Sequence, residues 1–480
     1  MSFRDYLDLA NERLGASVVY ANDDYFAEKE NLIRPAKAIW KEHEYTDRGK
    51  WMDGWESRRK RVPGHDFAIV RLGARGVVHG IVVDTAFFRG NYPAQASLDG
   101  CDLKPHASVD ELLAAKWTPL LEKSDLKGDS ENELFVETGG AVTHVRLNIF
   151  PDGGVARLRV HGEVVPDWHL AGGLDHELDL AAVENGGEVL TCSDMFFGPK
   201  HNLIMPGRAL NMSDGWETRR RRGPGHDWVI VKLATEASVR RIEIDTNHFK
   251  GNYPDTCSLE GSSDGETWTD VLPRTKLQAH TRHFFLDELA SRGPFTHLRM
   301  NVYPDGGVSR LRVWSLATTA GRRAAVVRRV NTQLDNELLT CCASRNWAEA
   351  MNAARPFSSW EDLVVTADRL WMSLGPEDWL EAFRAHPRIG EKEEGARWTA
   401  QEQSGTRTAS EDTLRALAEG NRAYDEKFGF IYLVCATGRS ADEMLANLRE
   451  RMNNDRNAEL RVAAEEQRKI TAMRLEKLVL

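Results

Sequence analysis

A multidomain chain of two all-β sandwich repeats followed by an all-α helical domain is the fold class this sequence predicts. Three observations predict it: a domain-sized duplication, short β-branched segments inside each copy, and a switch to helical spacing near residue 331. The duplication is clearest in Asp214-Gly-Trp-Glu-Thr-Arg-Arg-Arg-Arg-Gly-Pro-Gly-His-Asp-Trp, which answers Asp53-Gly-Trp-Glu-Ser-Arg-Arg-Lys-Arg-Val-Pro-Gly-His-Asp-Phe. The register continues from Asp84-Thr-Ala-Phe-Phe-Arg-Gly-Asn-Tyr-Pro to Asp245-Thr-Asn-His-Phe-Lys-Gly-Asn-Tyr-Pro. After a short deletion it returns in Pro151-Asp-Gly-Gly-Val-Ala-Arg-Leu-Arg-Val and Pro304-Asp-Gly-Gly-Val-Ser-Arg-Leu-Arg-Val. A repeat of this length is a duplicated domain, far beyond solenoid periods.

The elements follow in order. Residues 1–16 read as a short polar helix or arm. The first repeat spans 17–160 and the second 188–316, with 161–187 connecting them. Phe67-Ala-Ile-Val-Arg-Leu, Gly80-Ile-Val-Val-Asp and Val145-Arg-Leu-Asn-Ile-Phe are strand candidates punctuated by Gly, Pro and Asp. Val155-Ala-Arg-Leu-Arg-Val alternates apolar and basic residues, as a strand with one buried face does. Many such strands per repeat make a sandwich. Residues 317–330 are small and basic and read as a linker. From 331 to 480 the spacing is helical: Leu363, Ala367, Leu370 and Leu374 fall on one face, Pro376 suits a helix start, and 441–480 is almost free of Gly and Pro.

Composition narrows the function. The chain has 480 residues, 41% hydrophobic and 28% charged, with a net charge of −10. These are values of a globular protein, and the negative balance argues against nucleic-acid binding, which depends on neutralising phosphates. Six cysteines without a C-x-x-C pair form no disulfide or zinc framework and read as reduced. No secretory or membrane-length apolar run is visible, and the end, Leu478-Val-Leu, is not a peroxisomal address. A cytoplasmic enzyme, homo-oligomeric and without nucleic-acid or membrane partners, is expected.

In the repeated block, His226 and Asp227 sit side by side after a tight turn, preceded by an arginine run. Arg219 and Arg221 would share one side of an extended segment and suit a carboxylate, whose two oxygens a guanidinium fork meets at once. The plainer alternative is a solvated charged strand and a His-Asp pair that locks the turn. The copies differ where His248 answers Phe87 and Trp228 answers Phe67. The second copy therefore holds the richer ionisable set, His226, Asp227, Asp245 and His248. Either it carries the site or both repeats contribute to one, and unequal core fillers are the structural alternative. The His and Asp spacing matches no ligand motif, so no metal is assigned, and a weakly bound divalent ion there stays open.

The ordered blocks resemble the allantoicase family, over residues ~17–316 in two repeats. The resemblance implies two jelly-roll sandwiches and hydrolysis of allantoate to ureidoglycolate and urea. That reaction needs an anion clamp, a base to prepare water and an acid for departing urea. Asn252, in the Gly-Asn-Tyr-Pro block, joins Arg219, Arg221 and Asp245 as a candidate substrate contact.

The helical part has its own signature. Trp379-Leu-Glu-Ala-Phe-Arg-Ala-His386-Pro-Arg-Ile-Gly ends a helix on a His-Pro step. Trp398-Thr-Ala-Gln-Glu402-Gln403 and Tyr424-Asp-Glu-Lys-Phe-Gly-Phe-Ile-Tyr-Leu-Val-Cys-Ala436 follow. A lone histidine at a helix end is more often a cap. Together these motifs resemble the 2-oxo-4-hydroxy-4-carboxy-5-ureidoimidazoline (OHCU) decarboxylase family over residues ~331–480. The resemblance implies cofactor-free decarboxylation to (S)-allantoin with His386 as proton donor. Pro387, Thr399, Glu402 and Gln403 would line the pocket, Thr399 keeping a hydroxyl where the family has Ser. Backbone groups of Tyr432, Leu433, Val434, Cys435 and Ala436 would hold the ring and ureido parts. Glu402 nearby would favour a protonated imidazole. Both resemblances point to urate breakdown, with allantoate and OHCU as the small-molecule partners. The rival is a jelly-roll ligand-binding protein with an inactive helical adaptor.

Overall fold

The computed structural model describes residues 2–137, 139–169, 171–332, 337–386, 410–436 and 439–480. The chain forms two compact units, Met1–Arg322 with Leu480, and Arg323–Val479.

The first unit holds both repeats. The first is built from β1 (Ser17–Ala21), β2 (Asp66–Asp84), β3 (Gln95–Cys101), β4 (Thr118–Asp125), β5 (Glu131–Phe135), β6 (Val142–Phe150) and β7 (Arg157–Val164). A helix, α1 (Val109–Ala114), is closed at its start by a capping box of Ser108 and Glu111. All ladders between these strands are antiparallel. The long strand β2 serves both layers. In its N-terminal half Val70 lies opposite Val18 and Val145; in its C-terminal half Ile81 lies opposite Leu134 and Val160. Ala68, Val70 and Leu72 alternate into the core from one half and Ile81 and Val83 from the other. The second repeat uses the same strand order in β8 (Glu188–Cys192), β9 (Asp227–Asp245), β10 (Thr256–Ser262), β11 (Thr269–Lys276), β12 (Arg282–Phe285), β13 (Phe295–Tyr303) and β14 (Arg310–Ala317). Two jelly-roll sandwiches result.

Much of the repeated sequence is framework. Trp55 and Trp216 are fully buried, and their indole Nε1 groups donate to Asp23 O at 2.8 Å and Asp194 O at 2.9 Å. The first arginine of each Arg-Leu-Arg-Val block is buried against the aspartate that opens Asp-Gly-Trp: Arg157 reaches Asp53 at 2.9 Å and Arg310 reaches Asp214 at 3.2 Å. Removing one partner of such a pair would strand a buried charge, so the two blocks stay together.

Residues 1–16 differ from the expected arm. Leu7 and Asp8 pair with Gly162 and His161 of β7, and Leu9 is fully buried. Likewise Leu178–Asp179, inside the expected connection, pairs with β14. Such two-residue strands are too short to carry a period, which hides them in sequence.

The segment assigned to a linker is helical from Thr319, in α2 (Thr319–Thr332), and the boundary between the units falls inside this helix. Alanine and arginine are strong helix formers, and Ala325, Val326 and Val330 are buried. The second unit continues with α3 (Glu337–Cys342), α4 (Arg345–Ala353), α5 (Trp360–Ser373), α6 (Pro376–Arg384), α7 (Glu411–Phe428), α8 (Ala441–Arg451) and α9 (Arg456–Glu476). Serine side chains cap α4, α5, α7 and α8, and Asp455 caps α9. On α5 the buried stripe is Leu363, Ala367 and Trp371, with Leu370 and Leu374 only half-buried. The Trp371 indole decides this, donating to Ala464 O of α9 at 2.8 Å.

All six cysteines are free thiols, and burial pushes those of Cys101, Cys257, Cys341 and Cys342 up to about 12. Among the described residues no helix is long and apolar enough to cross a membrane.

Candidate functional site

His226 and Asp227 are neighbours that turn opposite ways where the chain enters β9. Asp227 is buried; it accepts from Ser193 Oγ at 2.9 Å and pairs with Arg221. His226 is half-buried and packs against Tyr303, with ring centroids 4.6 Å apart and the planes tilted by 35°. Its Nε2 lies 3.2 Å from Asn301 Oδ1. Asn301 Nδ2 donates to Glu260 Oε2 at 2.8 Å and Ser258 Oγ at 3.3 Å, and Arg299 Nε donates to the same Glu260 oxygen at 2.7 Å. The Arg299 hydrogen bond, reinforced by Asn301, holds the Glu260 carboxyl below the usual range against the opposing effect of burial. With Trp228 and Asp270 these residues line a pocket of about 370 Å³.

The first repeat reproduces the network. His65 Nε2 lies 3.3 Å from Asn148 Oδ1, and Asn148 Nδ2 donates to Asp99 at 2.9 Å and Ser97 at 3.1 Å. Arg146 Nη2 donates to Asp99 at 2.8 Å, and buried Asp66 pairs with Lys60.

The remaining candidates of the second repeat have their own partners. Asp245 is buried and accepts from Asn247 N at 2.8 Å. His248 Nε2 donates to Ala209 O at 2.9 Å, and His248 N donates to His280 Nδ1 at 2.8 Å. His248 sits at φ +70°, a left-handed conformation costly for a side chain with a Cβ, and Phe87 matches it at φ +68°. Asn252 donates to Glu217 Oε1, as Asn91 does to Glu56 at 2.7 Å. Burial pushes the Glu56 carboxyl up. Arg219 bonds Asp194 at 3.1 Å, so both guanidinium groups expected to clamp substrate already meet carboxylates of the chain. None of the described hydrogen bonds or ring contacts joins His226 to His248.

The Pro-Asp-Gly-Gly turn between β13 and β14 draws the repeated blocks to one end of the sandwich. Asp305 accepts from Arg221 N at 2.8 Å, Gly306 O accepts from Thr218 N at 3.3 Å, and Gly307 N donates to Asn252 O at 2.8 Å.

In the helical unit, His386 follows α6 and its N donates to Phe383 O at 3.1 Å. Its Nδ1 lies 3.4 Å from Arg474 Nη2 of α9, and its Nε2 is buried with no hydrogen-bond partner among the described residues. Burial first, and the Arg474 charge second, push the imidazole down to about 3. This favours the neutral ring in the described surroundings, while Glu402, expected to favour the protonated form, lies outside them. Pro387, Thr399, Glu402 and Gln403 lie outside the described residues. Of the segment Tyr432–Ala436, Leu433 O accepts from Arg451 at 2.8 Å, Cys435 N donates to Glu466 at 2.7 Å, and Ala436 O accepts from Arg439 N at 3.1 Å. The Tyr432 hydroxyl lies 2.8 Å from Asn447 Oδ1.

Three residues around the candidate histidines escaped the sequence reading. Asn301 and Glu260 lie on strands that pairing carries to His226. Their signal was the matching of Asn148 with Asn301, each two residues before an aromatic-Pro step. Arg474 gave itself away only as an arginine on the buried stripe that also holds Gln467, Ile470 and Thr471. Among the described residues no group of three or more His, Cys, Asp or Glu could hold a metal ion.

A duplicated sandwich with an imidazole-carboxylate pocket, joined to a helical unit with a buried histidine, is the frame of a two-part enzyme. The family model described as Allantoicase repeat matches residues 7–165 and 178–318, and the one described as OHCU decarboxylase matches 330–476. The chain belongs to the allantoicase family and carries an OHCU decarboxylase domain after its repeats. It is 48% identical over 328 residues to a probable allantoicase of Photobacterium profundum, covering 65% of this chain and 97% of that one. The crystal structure of allantoicase from Saccharomyces cerevisiae superposes with a TM-score of 0.56 at 36% identity, covering 64% of this chain and 92% of that one. A crystal structure of OHCU decarboxylase in the presence of (S)-allantoin is 41% identical, covering 30% of this chain and 98% of that one, with a TM-score of 0.28.

Proposed function

We propose that this protein is a bifunctional enzyme of purine breakdown: its repeats hydrolyse allantoate to ureidoglycolate and urea, and its helical unit decarboxylates OHCU to (S)-allantoin. The observation that carries the reading is the match of both parts, in this order, to those two families. An inactive adaptor does not require a buried imidazole beside an arginine, so the binding-protein alternative is set aside.

For allantoate, the pocket of the second repeat is the reaction site. His226 takes a proton from water, the water oxygen attacks the carbon bearing both ureido groups, and the carbon–nitrogen bond breaks towards the departing urea. Asn301 and Tyr303 orient the ring. For OHCU, the substrate carboxylate meets Arg474; its negative charge offsets the guanidinium and lets His386 take up the proton it then delivers. Neither half relies on a cofactor. A reducing, cytoplasmic compartment suits six free thiols, and exposed Phe196, Phe197 and Leu210 suit self-association.

The test measures urea from allantoate and enantiomerically resolved allantoin from OHCU on one preparation. His226→Gln is expected to lose the first activity and keep the second. His386→Asn is expected to do the reverse, by a factor of roughly 10²–10⁴. A variant that still forms one enantiomer of allantoin at the parent rate would remove His386 from the reaction.

A further inference from the structure

We infer that Glu260 and Asn301 are positioning residues that lock His226 in the Nε2–H tautomer, leaving Nδ1 as the nitrogen that accepts the water proton. The inference rests on the allantoate-hydrolase reading and deepens it.

The direction of every hydrogen bond follows from one end. An ionised carboxylate only accepts. Glu260 is held in that state by Arg299, which donates to Oε2 at 2.7 Å. The Asn301 group 2.8 Å from the same oxygen must therefore be its NH₂ end. That turns the amide oxygen towards His226 Nε2, 3.2 Å away. An amide oxygen also only accepts, so Nε2 carries the hydrogen. A neutral imidazole has one such hydrogen, and Nδ1 is left with its lone pair. No described residue bonds Nδ1, and the ring packs against Tyr303 with the two planes tilted by 35°. The first repeat repeats the logic with Arg146, Asp99, Asn148 and His65. Both copies of the duplicated domain show the same polarity.

The step balances. Water gives a proton to Nδ1 while its oxygen bonds to the central carbon. The carbon–nitrogen electron pair leaves with the ureido nitrogen, which recovers that proton from the imidazolium. Other charged groups around the ring are Asp270 on β11, the Asp227–Arg221 pair behind it, and Arg274, whose guanidinium lies 3.9 Å over the Tyr303 ring. None of these stands between Asn301 and Nε2.

The experiment uses the full chain labelled with 15N-histidine, long-range nitrogen–proton correlation to read the tautomer, and His226→Gln to assign the signal. The parent protein is expected to show Nε2–H. Asn301→Leu should weaken that preference and lower kcat for urea release with little change in KM, by far less than the roughly 10⁴-fold seen where a histidine base is forced into the wrong tautomer. Glu260→Gln, which frees the Asn301 amide to turn over, should give mixed tautomers. The double variant Asn301→Asp with Glu260→Gln faces Nε2 with a carboxylate, while a neutral amide stands 2.8 Å away in place of Glu260, so the negative charge stabilises the imidazolium. Its acidic limb of kcat should therefore move to higher pH by about one unit or more. A parent ring found as Nδ1–H overturns the lock whatever the activity. An acidic limb unmoved in the double variant does the same. A tautomer that changes as expected while kcat stays constant overturns His226 as the base and leaves the wiring intact, which separates the two failures.

Discussion

In the first repeat His65 packs against Phe150 and Asn148 bonds Asp99; in the second His226 packs against Tyr303 and Asn301 bonds Glu260. The bonding skeleton is held in common, down to the arginine behind each carboxylate. The differences gather at functional groups. Phe150 becomes Tyr303, Phe87 becomes His248, and Pro119, opposite Asp99, becomes Asp270, opposite Glu260. Duplication preserved the geometry in both copies, and polar chemistry is concentrated in the second. Shared residues thus supply a common framework, and the unshared ones are where the two pockets differ.

The largest effect expected from this contrast separates the two histidines. His226→Gln should lower urea release by roughly 10²–10⁴-fold, and His65→Gln by no more than about twofold. Equal losses, with both proteins folded, would make the site a composite of the two copies. A test of the shared framework comes next. A Cβ on Gly154 or Gly307 would lie 2.0 Å from the ring of Phe88 or Phe249. Gly154→Ala and Gly307→Ala should each destabilise the first unit by about 1–3 kcal/mol in denaturant unfolding. Unequal costs would mean that the copies are not packed alike. A smaller effect falls on the unshared hydroxyl, which lies 3.2 Å from Ser258 Oγ. Tyr303→Phe should cost about 0.5–1.5 kcal/mol in kcat/KM, while Phe150→Tyr leaves urea release unchanged.

The smallest concerns acid. Burial pushes His144 down to about 4, and its counterpart His297, less buried, is lowered too. A histidine kept neutral by folding binds its proton more readily when unfolded. The stability it supports is present above the unfolded pKa of about 6.5 and is lost as pH falls towards about 4. Between pH 7 and 6 the loss should be under about 1 kcal/mol, and His144→Gln should flatten it more than His297→Gln. Acid unfolding curves of the two variants decide it.

The sequence carried the architecture because the duplication announces itself in whole motifs and helical spacing replaces alternation after the second copy. It lost the edges. Leu7–Asp8 and Leu178–Asp179 are too short for a pattern, and α2 was hidden by a basic, small-residue composition that resembles a linker. On α5 a tryptophan with a hydrogen bond displaced the leucines from the core. For the site, the motifs supplied His226 and His386 but not what surrounds them. Asn301 and Glu260 reach His226 only through strand pairing, and Arg474 reaches His386 from another helix. Contacts that tertiary structure creates leave no local spacing to read.

The single strand that runs through both layers of each sandwich also bears on how such a protein can change. A residue inserted inside β2 or β9 would shift its register and turn one layer inside out unless a bulge absorbed it, as one in each strand already does. The two copies fit that restriction, because β2 and β9 are both 19 residues long. Where the first repeat carries the extra hairpin Tyr45–Thr46 and Gly49–Lys50, the second passes directly from Met205 towards Asp214. The difference between the copies thus marks where this scaffold has tolerated a change of length: between Pro35 and Asp53, and not in the two long strands.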